Sequence, residues 1–61
     1  MRDWLIKIRT DKGMTKNEVA TICGISRQYY CFIERGDRDC PPNTAKKIAD
    51  ALGFPWTKFF E

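Results

Sequence analysis

The chain has 61 residues, with eleven Lys and Arg against eight Asp and Glu, a formal charge of +3 and no histidine. A chain of about 60 residues buries only about 60% of the surface that its unfolded form exposes, so one small domain with a thin core is expected over residues 1–61, and no deep catalytic cavity. The lack of histidine removes the commonest general base near neutral pH and the commonest neutral metal ligand, so neither an enzyme nor a metal or cofactor site is expected.

Glycine and proline punctuation at Gly13, Gly24, Gly36, Pro41-Pro42 and Gly53-Phe54-Pro55 cuts the sequence into five short pieces. Residues 1–12 carry Leu5, Ile8 and Lys12 on one helical stripe beside Trp4 and Arg9, and Gly13 follows as a left-handed cap. The second helix opens at Thr15-Lys16-Asn17-Glu18, a capping box flanked by the Met14 and Val19 staple positions. Val19, Ala20 and Cys23 form its narrow apolar face, and Gly24 ends it. Ser26 caps a third helix over residues 26–35, where Ile25 and Tyr30 repeat the staple spacing and Tyr30, Ile33 and Glu34 point inward. A polar loop over residues 37–40 leads to Pro41 and Pro42, which fit only a first helical turn. Ala45, Ile48, Ala49 and Leu52 then recur at i, i+3, i+4 and i+7 of a fourth helix that ends at Gly53. The remaining tail holds four aromatics, Phe54, Trp56, Phe59 and Phe60, and must pack on something. No segment alternates with the two-residue period of a strand, so the fold class is all-α.

Two short helices joined by a tight glycine turn, with a small residue in the first, form a helix-turn-helix over about residues 15–36. Ala20 allows close approach, Gly24 supplies the turn conformation, Ile25 plugs the corner and Ser26 starts the second helix. With these residues placed, five segments in order and spacing carry a family resemblance: Gly13-Met14-Thr15, Glu18-Val19-Ala20, Gly24-Ile25-Ser26, Ile33-Glu34-Arg35-Gly36 and residues 48–53. Together they resemble the Cro/CI-type, lambda-repressor-like helix-turn-helix family, also called the XRE family. The resemblance implies a compact five-helix DNA-binding domain of a cytoplasmic transcription regulator, a phage, prophage or mobile-element repressor. Its partner would be double-stranded DNA with a pseudo-palindromic operator, bound by a homodimer.

The same resemblance makes residues 26–35 the recognition helix in the major groove, with Arg27, Gln28 and Phe32 at the positions that reach base edges. Arg can bridge guanine O6 and N7, and Gln can bridge adenine N6 and N7. Phe32 departs from this chemistry. A phenyl ring reads no donor, and would meet a thymine methyl, cover a sugar edge or lie against a partner protein. Phosphate contacts are expected from Thr15 and Lys16 at the start of the second helix, from Ser26 and Tyr29, and from Arg35 and Arg38 after the third. Family members carry Gln more often than Lys at the position of Lys16, which leaves the bracing of Gln28 without its usual partner. Arg9 is expected to form a structural ion pair with Glu34.

Trp56 and Phe60 are the expected dimer surface, because members of this family associate through their fifth helix. Lys7, Lys12, Lys46 and Lys47 are expected on the solvated faces. Cys23, Cys31 and Cys40 are spaced by eight and nine residues and contain no C-x-x-C, so reduced thiols are expected, with Cys23 as a small core residue. No apolar run approaches the roughly 18 residues of a membrane span, and no small-molecule substrate is implied. Two other readings stay open: a protein-interaction module such as an antitoxin on the same fold, and the DNA-binding part of a longer regulator.

Overall fold

A computed structural model describes all 61 residues, Met1–Glu61. Four α-helices follow in order, α1 (Asp3–Asp11), α2 (Lys16–Cys23), α3 (Arg27–Arg35) and α4 (Pro42–Leu52), and a 3-10 helix, Trp56–Phe60, closes the chain. The apolar stripes meet in one core. Leu5 comes from α1, Val19, Ala20 and Cys23 from α2, Tyr30 and Ile33 from α3, and Ala45, Ile48, Ala49 and Leu52 from α4. α2 packs on both α3 and α4, α1 lies against α3, and α4 carries the 3-10 helix.

The helix ends follow local chemistry. Thr15 Oγ1 accepts from the Glu18 amide at 3.1 Å, and Glu18 Oε1 accepts from the Thr15 amide at 2.9 Å, a complete capping box. At the far end of α2, Gly24 takes φ +71°, a left-handed conformation that costs any side chain with a Cβ. The Ile25 amide then reaches back to the Ala20 carbonyl at 3.0 Å, so the chain turns sharply and half-buried Ile25 folds onto the core. That turn sets the angle between α2 and α3.

Three features differ from the expectations drawn from the sequence. The first two residues stay outside α1, because the Arg2 amide bonds to the Glu34 carbonyl at 2.8 Å instead of entering the helix. The fifth element is a 3-10 helix and not an α-helix. Its tighter winding puts Trp56 and Phe59 on one side, where both pack on the core, and aromatic residues have modest α propensity in any case. The loop expected to be polar buries Cys40 among the core side chains, where a thiol behaves as a small apolar group.

The tail adds an aromatic cluster to the outside of the core. Trp4 meets Phe54 and Phe59 edge-on at centroid distances of 5.4 and 5.1 Å, so α1 and the tail share one packed unit. No helix is long and apolar enough to cross a membrane.

Candidate nucleic-acid interface

The exposed side of the helix-turn-helix is built by two caps. Ser26 Oγ turns inward along the helix to accept from the Tyr29 amide at 3.0 Å, which starts α3 one residue later at Arg27. Arg27 and Gln28 are thereby placed on the first turn of α3, and both are exposed. The capping box of α2 satisfies the amides of Thr15 and Glu18, while the Val19 amide bonds to the Thr15 carbonyl at 3.2 Å. The amides of Lys16 and Asn17 keep the orphan donors of a helix start.

Two shallow hollows flank Arg27 and Gln28. The first, about 450 Å³, lies between the end of α1 and the start of α2, and brings Thr15, Lys16 and Asn17 together with Arg27. The second, about 280 Å³, is lined by Ser26, Gln28, Tyr29, Phe32 and Arg38. Tyr29 is half-buried and packs on the core, whereas Arg35 and Arg38 are exposed. Arg35 Nε lies 3.2 Å from Asp37 Oδ2, so part of its charge is answered locally. Trp56 and Phe60 belong to another region, the 3-10 helix, where their rings meet edge-on at 5.7 Å. Phe60 is 56% exposed.

Behind this face sits a buried polar pair. Arg9 Nε donates to Glu34 Oε2 at 2.6 Å, and Arg9 Nη1 donates to the Met14 carbonyl at 2.9 Å. Glu34 is 1% exposed, so the guanidinium is its compensation. The hydrogen bond to Glu34 raises the Arg9 pKa against the opposing effect of burial. Tyr30 Oη is buried beside this pair without a hydrogen-bond partner of its own, and burial, reinforced by Glu34, pushes its phenol well above the ordinary range.

Cys23 and Cys40 are buried free thiols. Burial raises Cys23, with Lys47 opposing, and pushes Cys40 up to about 11, with Arg2 opposing. Both stay protonated near neutral pH, and a protonated thiol is a poor nucleophile and metal ligand. No cluster of three or more Cys, Asp and Glu side chains stands in a metal-holding arrangement.

Arg2 escaped the sequence reading. Its Nη1 donates to the Ile33 carbonyl at 2.6 Å and reaches the Arg38 carbonyl at 3.4 Å, and its guanidinium carbon lies 5.7 Å from the Phe59 centroid. One cation thus caps the negative end of α3, holds the following loop and touches the tail. Its partners are 31 or more positions away, and no local pattern announces such contacts.

With the turn, the caps and the exposed first turn of α3 in place, the comparisons with known proteins agree on one architecture. The family model described as helix-turn-helix matches residues 5–59. The chain belongs to the XRE-type helix-turn-helix family. Within it, the chain is 51% identical over 61 residues to YqaF of Bacillus subtilis (strain 168), named an uncharacterized HTH-type transcriptional regulator. That match covers 100% of this chain and 80% of the relative. It is 40% identical over 47 residues to y4dJ of Sinorhizobium fredii (strain NBRC 101917 / NGR234), also named an uncharacterized HTH-type transcriptional regulator, covering 77% of this chain and 61% of that protein. A 40% identity over 50 residues links it to the HTH-type transcriptional repressor RghR of Bacillus subtilis (strain 168), covering 80% of this chain but 37% of the relative. The matched segment thus makes up most of the first relative and little more than a third of the last.

Proposed function

We propose that this chain is a sequence-specific double-stranded DNA-binding transcription regulator that lays α3 in the major groove. The observation that carries the reading is the pairing of Arg27 and Gln28, adjacent and exposed on the first turn of α3, with the open amide end of α2 beside them. In this geometry Arg27 and Gln28 reach base edges, since the N-terminal residues of the second helix lead into the groove. Lys16, Thr15 and the free amides of α2 take one phosphate strand, and Ser26, Tyr29, Arg35 and Arg38 take the other. Two copies on a pseudo-palindrome would place their α3 helices about 34 Å apart, one turn of the duplex. Exposed Phe60, with half-buried Trp56 beside it, supplies an apolar surface for that pairing. Occupancy of such an operator excludes other proteins from it, and the relative named a repressor supports that direction of control.

Selection of bound duplexes from a random pool tests the assignment. Arg27→Ala and Gln28→Ala should each relax the preferred base at one position and lose about 1–3 kcal/mol on the selected duplex. Lys16→Ala should weaken selected and unrelated duplexes about equally. Base-reader variants that keep the parent's motif and affinity would show that α3 does not read sequence.

A further inference from the structure

Phe32 is half-buried, yet its ring is not among the side chains packed on the core, unlike its neighbour Tyr29. Cations shield it instead. The guanidinium carbon of Arg38 lies 5.6 Å from the ring centroid and that of Arg35 lies 6.0 Å from it. Both distances fall within the range of about 6 Å in which the electron-rich ring face attracts a cation. Each arginine is also held by a second contact: Arg35 by Asp37 at 3.2 Å, and the Arg38 backbone by Arg2 at 3.4 Å. The hollow beside the ring is open at Ser26, Gln28 and Arg38.

We propose that Phe32 is a positioning residue, a platform that holds Arg35 and Arg38 as a preformed clamp for a DNA phosphate, and that it reads no base. The proposal rests on the reading that α3 faces DNA. A thymine methyl laid on this ring would compete with the two guanidiniums for its faces. A guanidinium resting on a ring keeps its N–H donors in its own plane, so those of Arg38, and those of Arg35 that do not face Asp37, stay free for the paired oxygens of a phosphate. The platform therefore lowers the ordering cost of the clamp before DNA arrives, and its effect is the same on every sequence.

The test uses the full chain, the duplex it selects from a random pool and one unrelated duplex. Phe32→Leu keeps the apolar bulk and removes the ring. It should weaken both duplexes by about three- to tenfold, leave the selected motif unchanged and make the salt dependence of binding shallower. Phe32→Trp should restore binding to within about twofold of the parent, because indole is the stronger cation-binding face. In an Arg35→Ala/Arg38→Ala background, Phe32→Leu should add less than about a twofold loss, since the clamp is already gone. In the free protein, the side-chain protons of Arg35 and Arg38 should show ring-current shifts in nuclear magnetic resonance spectra that vanish in Phe32→Leu and persist in Phe32→Trp.

Loss of preference at a single base position, with the unrelated duplex bound as before, would make Phe32 a base reader and overturn the platform. Equal binding of both duplexes by parent and Phe32→Leu, with circular dichroism unchanged, would overturn the clamp. Absence of the ring-current shifts in the parent would overturn the platform without reference to DNA. A parent that shows those shifts but binds no duplex would sink the DNA reading and the clamp with it, while the shifts record the ring contacts separately.

Discussion

At the scale of single residues, the decisive feature is that Glu34 is sealed in the core with one cation to answer it. Arg9 is held by three oxygens on two segments: both carboxylate oxygens of Glu34 and the Met14 carbonyl. Removing one member of a buried pair leaves the other charged and desolvated, which costs about 3–5 kcal/mol. A chain of this size has a total stability of roughly 3–9 kcal/mol. Arg9→Ala should therefore leave a large share of molecules unfolded at room temperature in urea titrations followed by far-ultraviolet circular dichroism. The double variant Arg9→Met/Glu34→Leu removes both charges and should keep most of the parent's stability, because the desolvation cost disappears with the attraction. If Arg9→Ala unfolds within about 0.5 kcal/mol of the parent, water reaches Glu34 and the pair is not a structural element. The spacing of Arg9 and Glu34 along the chain does not disclose this pair; the family resemblance does.

At the scale of elements, the helices were legible because each begins and ends with its own local chemistry. Thr15 with Glu18, Ser26, and the glycines that follow α2, α3 and α4 act within four residues, so periodicity and capping rules reach them. The misreadings come from contacts that sequence distance hides: Arg2 leaves α1 for the end of α3, and Cys40 drops from a polar loop into the core. The packing of the aromatic tail was legible, and its partner Trp4 was not. Phe32 was ambiguous for the same reason, since Arg38 follows it in a loop of no regular period. Gly24 tests the local argument. A Cβ placed there would meet no heavy atom within 4 Å, so Gly24→Ala is opposed by backbone conformation alone. It should cost about 1–2 kcal/mol, and Gly24→Asn should cost less, because Asn enters the left-handed region more readily. Equal losses in thermal melts of the two variants would mean that something other than φ at the turn sets the angle between α2 and α3.

At the scale of the whole molecule, a formal charge of +3 says little about DNA, and the distribution of charge says more. Several cations are engaged away from the helix-turn-helix face: Arg2 by carbonyls, Arg9 by Glu34, Lys7 by Asp11 at 3.5 Å, and Lys46 and Lys58 over tryptophan rings at 4.9 and 5.4 Å. Lys16, Arg35 and Arg38 lie on the face that carries Arg27 and Gln28, with Arg35 shared with Asp37 and both arginines resting over Phe32. Each phosphate neutralised releases condensed counterions, so the logarithm of the binding constant should fall with that of salt concentration at a slope of about −0.9 per contact. Three such contacts give a slope near −2.7 for one chain, and two chains on one site give about −5.4. Anisotropy titrations of a labelled selected duplex at several salt concentrations therefore report how many chains assemble on it. A slope of about −5 that drops to about half when Phe60→Ser is introduced would place the pairing at the aromatic tail. A slope near −3 in the parent, unmoved by Phe60→Ser, would show one chain per site and leave Trp56 and Phe60 with no part in pairing.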